Sequence, residues 1–326
     1  MALFDLPLAE LRDYRPVIAE PENLDAFWAD TLAEARGFDL DAVFERVESG
    51  VTLVDTYDVT FSGFGGHRIK GWLHVPAGTV GPLPVVVEFL GYSGGRGLAH
   101  ERMSFALSGY AHLVMDTRGQ GWGWTTGHTP DPTADAGLGG IPGVMTRGIL
   151  DESTYYYRRL YTDAVRAIDA ARASSLVDPS LVVVAGTSQG GGLAIAAAAL
   201  GDDVAGALVD VPFLCHFERA VTLTDSNPYN EVVQYLRRHR DHVERVYRTL
   251  SYVDGAALAS RATAPTLFSV ALMDQTCAPS TVFAAYNRWA GAKSIDVYPF
   301  NDHEGGQEFH HLAKTRWLAA LFSRTE

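Results

Sequence analysis

Apolar residues fall into short runs along the chain, each bounded by glycine, proline or aspartate, as is typical of strands buried on both faces. The runs are Pro84 to Leu90, Ala111 to Met115, Leu181 to Ala185, Val204 to Val211, Thr266 to Leu272 and Ile295 to Pro299. Between them lie predicted helices at His100 to Ser108, Ser153 to Ala173, Gly190 to Leu200, Pro279 to Ala290 and Gln307 to Phe322. Strands alternating with helices indicate an α/β protein with a doubly wound, mostly parallel sheet.

The first part of the chain follows a different pattern. Asn23 to Arg36 carries apolar residues at helical spacing and predicts an amphipathic helix on the surface or at a subunit contact. Tyr57 to Pro76 alternates apolar and polar residues around a glycine-rich turn, which predicts a hairpin. We therefore expect a helical and hairpin extension over about residues 1–80.

Two segments interrupt the alternation. Gly121 to Ile149 is rich in glycine, threonine and proline and predicts a long excursion, whereas Cys215 to Ser260 predicts a helical insertion. Both leave from strand ends, where open sheets place their ligand sites. The chain has 326 residues, 47% of them hydrophobic, with no linker-like segment or internal repeat, so we expect one domain over residues 1–326.

Charge and cysteine content exclude several classes of function. The net charge of −13 argues against nucleic-acid binding, and one basic cluster, Leu236 to Arg240, predicts a solvated helix face or an interface. The N-terminal residues lack the basic region of a secretory signal, and the longest apolar run, Leu193 to Leu200, is too short to cross a membrane. Because the chain has only two cysteines, Cys215 and Cys277, a disulfide framework is excluded and a reducing compartment is favoured. A single disulfide between the two cysteines is left as an alternative.

A candidate nucleophile, Ser188, follows the apolar run Leu181 to Ala185. It is the centre of Gly186-Thr187-Ser188-Gln189-Gly190, and an alanine-rich helix begins after it. A G-x-S-x-G motif between a strand and a helix is the nucleophile elbow of α/β-hydrolases. The serine needs strained backbone angles there, so the residues two before and two after it must be small.

A serine nucleophile requires a base and an orienting carboxylate, which follow it in the order acid, then histidine. His303 lies in a glycine-containing loop after a predicted strand, and Asp274 lies in a loop after another. Asp210, which also ends a strand but comes one strand too early, is the main rival for the acid. Asp302 adjoins the histidine and Asp296 lies within a strand, so neither is well placed.

Two backbone N–H groups must hold the oxyanion, one of them from the residue after the nucleophile. Gln189 supplies the first, and Tyr92, in the glycine-rich loop after Leu90, supplies the second. That loop lacks the Gly-Lys-Ser/Thr ending of a phosphate-binding loop. Tyr92 and Phe213 are also candidate walls of the substrate pocket.

These residues resemble carbohydrate esterase family seven, the acetyl xylan esterases and cephalosporin C deacetylases. The family signatures Arg-Gly-Gln, Gly-x-Ser-Gln-Gly and His-Glu correspond here to Arg118 to Gln120, Gly186 to Gly190 and His303-Glu304. Further matching segments are Thr129 to Asp131, Asp210 to Phe217 and Ser280 to Asn287. The resemblance covers nearly the whole chain.

The resemblance implies an α/β-hydrolase fold and removal of acetyl groups from acetylated xylo-oligosaccharides and cephalosporin C. It implies Ser188, Asp274 and His303 as the triad, Tyr92 and Gln189 as the oxyanion hole, no metal or organic cofactor, a cytoplasmic location and a ring-like homohexamer. Arg118 and Gln120 would be structural supports, the arginine through an unidentified carboxylate.

The chain departs from the family at two positions near the acid. Thr276 stands where an aliphatic residue is usual, and Ala278 where proline is frequent. A more polar pocket wall at Thr276 would change substrate preference without touching the triad. Two alternatives stay open: an oligopeptidase-like serine hydrolase, for whose usual extra domain this chain has no room, and a non-catalytic binding module on the same fold.

Overall fold

The computed structural model describes residues 3–132 and 143–323, and a nine-stranded sheet runs through them. The strands are β1 (Val43–Val47), β2 (Val54–Ser62), β3 (Arg68–Pro76), β4 (Leu83–Phe89), β5 (Ala111–Met115), β6 (Val177–Thr187), β7 (Gly206–Asp210), β8 (Thr266–Ala271) and β9 (Lys293–Tyr298). Their spatial order is β1-β2-β3-β5-β4-β6-β7-β8-β9. The pairs from β1 to β5 are antiparallel, and those from β5 through β4 to β9 are parallel, as the doubly wound prediction requires.

Helices cover both faces of this sheet. They are α1 (Leu8–Asp13), α2 (Leu24–Arg36), α3 (Ser104–Leu107), α4 (Tyr156–Ala173), α5 (Gln189–Leu200), α6 (Phe217–Leu223), α7 (Tyr229–Arg238), α8 (Val243–Ser251), α9 (Gly255–Leu258), α10 (Pro279–Arg288) and α11 (Gln307–Phe322). Short 3₁₀ turns lie at Phe64–Gly66, Val144–Thr146, Arg240–His242 and Ala259–Arg261.

The two faces of β4 show why its run is mostly apolar, with Glu88 as its one charged residue. Val85 and Val87 belong to the larger core with residues of α4 and α5, whereas Val86 belongs to a second core with Phe105 of α3 and Leu318 of α11. Successive side chains of a strand point to opposite faces, so a strand between two helical layers carries apolar residues on both of its faces.

The hairpin prediction is confirmed by β2 and β3, and β3 pairs with β5, so this N-terminal segment extends the main sheet. The edge strand β1 was missed because most of its residues are exposed. The helix predicted from His100 is wrong in its first half: Arg102 has φ +55°, and only Ser104–Leu107 is helical. The helical insertion is confirmed by α6 to α9.

Other sequence predictions concerned the long excursion, the cysteines, the basic cluster and membrane crossing. Residues 133–142 of the predicted excursion lie outside the described residues. Cys215 and Cys277 are buried free thiols, so the optional bridge is not formed. The basic Arg237, Arg238 and Arg240 line an open surface groove near α7. Within the described ranges, no helix has both the length and the apolar composition that a bilayer crossing requires.

Candidate active site

Ser188 lies in the sharp turn between β6 and α5, at φ +59° and ψ −119°. A Cβ at Gly186 would lie 2.2 Å from the carbonyl carbon of Gly190, and a Cβ at Gly190 would lie 2.1 Å from the carbonyl oxygen of Phe89. Both positions therefore exclude larger residues, for the steric reason that the motif predicts.

The structure brings Ser188, His303 and Asp274 into one hydrogen-bonded chain. Nε2 of His303 lies 2.9 Å from Oγ of Ser188, and Nδ1 of His303 lies 2.8 Å from Oδ2 of Asp274. Because an ionised carboxylate only accepts hydrogen bonds, Nδ1 carries the proton and Nε2 is free to accept one from the serine hydroxyl.

Asp274 is fully buried at the start of the loop after β8. Its second oxygen accepts hydrogen bonds of 2.8 Å from the N–H groups of Thr276 and of Cys277. These bonds fix the carboxylate plane, so that Oδ2 is directed at the His303 ring.

The rival carboxylates have other partners. Asp210 receives hydrogen bonds from Nε2 of His310 at 2.9 Å and from Nζ of Lys314 at 2.5 Å. Burial would raise the pKa of Asp210, but Lys314 and His310 together hold it well below the ordinary value. Asp302 accepts a hydrogen bond from the Gln275 N–H at 3.2 Å. In the part of the chain that the structure describes, the carboxylate that forms a hydrogen bond with His303 is that of Asp274.

Gln120 joins the loops of the two predicted oxyanion donors. Its Oε1 accepts a 2.7 Å hydrogen bond from the N–H of Ser93, next to Tyr92, and its Nε2 donates to Oε1 of Gln189 at 2.8 Å. The Tyr156 hydroxyl lies 3.0 Å from the same Nε2. Gln120 thus ties the loop after β4 to the first residue of α5, a supporting role of the kind the sequence predicts.

The carboxylate partner of Arg118, which the sequence could not name, is Asp163 on α4. Nε and Nη2 of Arg118 donate to its two oxygens at 2.5 and 2.7 Å, and Nη1 donates to Asp131 at 3.3 Å. Asp131 also pairs with Arg147 and Arg159. Asp163 lies 45 residues beyond Arg118, so no local spacing could have revealed the pair.

A cavity of about 610 Å³ opens above Ser188. Ser188, His303, Tyr92 and Thr276 line it, as the sequence predicts for a site at the carboxyl edge of the sheet. Phe213 does not: its side chain is fully buried between the rings of Tyr92 and Tyr229, with centroids 6.5 and 4.3 Å away. The prediction that Phe213 is a pocket wall is therefore wrong: it lies behind Tyr92, which lines the cavity in its place.

Sequence reasoning missed several residues of the cavity wall, among them Trp124 and Arg102. Trp124 is 50% exposed, and its indole N–H donates to the carbonyl oxygen of Tyr92 at 3.0 Å. The Arg102 guanidinium lies 5.0 Å from the Trp124 ring centroid and forms an ion pair with Glu88. A tryptophan inside a glycine-rich excursion was the available signal for an exposed aromatic platform.

One group of possible metal ligands occurs within the described residues, namely Asp274, Cys277 and His303. Both oxygens of Asp274 already accept hydrogen bonds, and burial raises the pKa of the Cys277 thiol well above its ordinary value. A metal needs the thiolate and a free carboxylate oxygen, so these donors suit a proton-transfer chain better than a metal centre.

Comparison with known proteins identifies the family and the fold of the chain. The family model described as acetyl xylan esterase (AXE1) matches residues 1–321. A solved acetyl xylan esterase from Paenibacillus sp. R4 is 43% identical, with a TM-score of 0.90 over 97% of this chain and 99% of that chain. Acetyl xylan esterase 1 from Thermoanaerobacterium sp. JW/SL YS485 is 34% identical, with a TM-score of 0.89 over 98% of this chain and 100% of that chain.

A more distant relative, acetyl esterase Axe7A of Xylanibacter ruminicola, is 26% identical over 307 residues, which are 93% of this chain and 68% of the relative. The family model's match to residues 1–321 includes the turn at Ser188 and the loops that carry Asp274 and His303. The α/β-hydrolase fold predicted from the sequence is the fold of the solved relatives. The chain belongs to the acetyl xylan esterase family, a family of carboxylic ester hydrolases.

Proposed function

We propose that this chain is a serine esterase that removes acetyl groups from small alcohols, including acetylated xylo-oligosaccharides and cephalosporin C. One observation carries the proposal: the hydrogen-bonded chain from Asp274 through His303 to Ser188 ends at an open cavity. The names of the solved relatives, both acetyl xylan esterases, support acetyl as the acyl group.

In the first half of the reaction, Nε2 of His303 takes the proton of Ser188 as Oγ attacks the acetyl carbonyl. Asp274 stabilises the imidazolium that forms and keeps its Nδ1–H directed toward the carboxylate. The N–H groups of Tyr92 and Gln189 stabilise the oxyanion of the tetrahedral intermediate. Nε2 then returns the proton to the departing alcohol, which leaves an acetyl-serine.

In the second half, water occupies the place of the alcohol. His303 removes a proton from that water as it attacks the acetyl carbon, and the same two N–H groups hold the second oxyanion. The intermediate collapses to acetate, and Ser188 Oγ recovers its proton from His303. No group beyond the three side chains, the two N–H donors and water is needed to balance the reaction.

The cavity wall supplies the contacts for the alcohol. Trp124 offers an exposed aromatic face, while Thr276 and Arg102 offer polar groups. A pocket with aromatic and a few polar side chains fits a ring that carries hydroxyl or carboxylate substituents. Both proposed substrates have such a ring next to the ester.

The test is Ser188→Ala, assayed with p-nitrophenyl acetate and with a fluorophosphonate probe. Turnover should fall by at least about a thousandfold, and labelling should disappear. Retention of most activity would overturn the assignment of the nucleophile. In the wild-type enzyme, a panel of acetylated xylo-oligosaccharides, cephalosporin C, longer acyl esters and amides should show acetyl esters turned over fastest. Faster cleavage of amides than of esters would favour the oligopeptidase-like alternative. Absence of fluorophosphonate labelling in the wild-type protein would favour a binding module.

We also propose a cytoplasmic location and a homohexameric assembly. The two buried free thiols suit a reducing compartment. The hexamer follows from the family resemblance, and a mass measurement in solution tests it: a mass near six times 35.3 kDa is expected, and a monomer would contradict it.

A further inference from the structure

Glu231, on α7, touches the loop that carries a proposed oxyanion donor. The Tyr92 hydroxyl donates a 2.7 Å hydrogen bond to Oε1 of Glu231, and the N–H of Met145 donates to Oε2 at 3.3 Å. One carboxylate therefore joins three segments that are far apart in sequence: the loop after β4, the 3₁₀ turn Val144–Thr146, and the helical insertion. Asn227 and Pro228, just before α7, line the same cavity as Tyr92.

The carboxylate of Glu231 is held by hydrogen bonds alone. Burial raises the pKa of its carboxyl group, although the bonds from Tyr92 and from the N–H groups of Met145 and Gly143 act to lower it. Within residues 3–132 and 143–323, its hydrogen-bond partners include no lysine, arginine or histidine. Placing a partly buried carboxylate without a cation costs free energy. The contact of Glu231 with Tyr92 is therefore a candidate for a functional role.

Tyr92 is fixed at both ends. Its carbonyl oxygen accepts the Trp124 indole N–H at 3.0 Å, and the next residue, Ser93, is bound by Gln120. Its ring packs edge-on against Trp122, with centroids 5.6 Å apart. The far end of the phenol is bound by Glu231. Loss of that bond would free the ring to rotate and would loosen the peptide to which it is attached.

We propose that Glu231 is a positioning residue for ester hydrolysis, which holds Tyr92 so that its main-chain N–H stays directed at the oxyanion. The inference rests on the proposed function, because it assumes that Tyr92 is an oxyanion donor. Oxyanion stabilisation depends on donors that are fixed before the reaction begins, and a displacement of about 1 Å lowers the rate. Glu231 acts through Tyr92 and does not touch the substrate.

The experiment compares Glu231→Ala, Tyr92→Phe and the double variant, with p-nitrophenyl acetate as substrate and with kcat expressed per fluorophosphonate-labelled site. Each single variant should lower kcat by about 10- to 100-fold while KM changes by less than about threefold, because the lost interaction acts in the transition state. The double variant should be no slower than the slower single variant, since both remove the same bond.

Glu231→Gln keeps a carbonyl oxygen that can accept the Tyr92 hydroxyl, so its kcat should recover to within about threefold of wild type. The matched control is Tyr235→Phe, on the same helix, which removes a 2.8 Å phenol–His242 contact outside the cavity and should leave kcat unchanged. If Glu231→Ala does not fold, Tyr92→Phe and Glu231→Gln, which preserve the shape of the side chains, carry the test.

Two results would overturn the inference: multiplicative effects in the double variant, or wild-type kcat per labelled site in Glu231→Ala and Tyr92→Phe with only a lower melting temperature. Ser188→Ala, assayed in parallel, separates this inference from the proposed function. Activity in Ser188→Ala overturns the proposed function. An inactive Ser188→Ala beside fully active Glu231→Ala and Tyr92→Phe overturns only the role of Glu231.

Discussion

Nδ1 of His303 lies 2.8 Å from Oδ2 of Asp274, and this contact distinguishes one carboxylate from its neighbours in the surrounding loops. Asp302 is adjacent to His303 in the chain, but it accepts a backbone hydrogen bond from Gln275 instead. Asp210 lies at the end of the neighbouring strand and is bound by Lys314 and His310. Each carboxylate thus has its own cationic or polar partners, and these separate partners predict separable effects of mutation.

Asp274→Asn should lower kcat by about 10³- to 10⁴-fold, because an amide N–H facing Nδ1 favours the wrong imidazole tautomer. Asp210→Asn is the matched control: it should lower the melting temperature, since Lys314 loses its buried carboxylate, yet kcat per labelled site should stay within about tenfold. Steady-state kinetics with p-nitrophenyl acetate and a fluorophosphonate titration measure both. A collapse of kcat in Asp210→Asn alone would transfer the acid role to Asp210.

The parts of the site that could be predicted are those with a local signature. The elbow at Ser188 combines a strand, small residues and a helix within a few positions, and His303 lies in a glycine-containing loop after a strand. The strands β7 and β8 were predicted because every residue in them is buried and most of their residues are apolar. Chain order then selected Asp274 from among several carboxylates.

The parts that could not be predicted depend on distant partners or on exposed backbone. Glu231 follows Tyr92 by 139 residues, and nothing near either of them indicates the contact. The edge strand β1 has no buried face, so its sequence lacks the alternation that marks a strand. Phe213 illustrates a third limit: a position at a strand end predicts nearness to the site but not which layer the side chain occupies.

Trp124→Ala should weaken the binding of acetylated sugars more than that of small acetyl esters. Trp124 is 50% exposed and lines the cavity, so its removal costs contact with the alcohol, about 3- to 10-fold in kcat/KM for acetylated xylo-oligosaccharides. Trp124→Phe keeps an aromatic face but loses the hydrogen bond to Tyr92, and it separates the two roles. Equal losses for methyl acetate and for the sugars in Trp124→Ala would contradict a platform for the alcohol.

Arg118→Met should destabilise the fold strongly, because it leaves Asp163 buried without its bidentate cation. Breaking a buried pair from one side costs about 3–5 kcal/mol. Arg36→Met removes an exposed pair with Asp202 and should cost less than about 1 kcal/mol. Thermal unfolding at one fixed protein concentration compares the two variants. Similar melting temperatures for both would show that the buried cluster is not a large source of stability.

The burial of His74, on β3, leads us to expect that the protein loses stability in mild acid. Burial, with a smaller contribution from the nearby His112, lowers the pKa of His74 from 6.5 to about 3, and Glu88 only partly opposes the shift. The folded protein therefore keeps this imidazole neutral while the unfolded chain takes up a proton below pH ~6.5. Above that pH the neutral His74 makes its full contribution to the free energy of unfolding. Between pH 7 and pH 5 that contribution falls by about 2 kcal/mol.

His74→Asn should abolish that part of the pH dependence. The amide can replace Nδ1 as the partner of the Thr56 hydroxyl, which lies 3.0 Å away, but it does not titrate. The variant will be less stable than wild type at pH 7 because the smaller side chain leaves a cavity, yet its melting temperature should decline less from pH 7 to pH 5. The exposed His100→Asn is the control and should follow the wild-type curve. Parallel declines in wild type and His74→Asn would show that His74 does not govern the acid sensitivity.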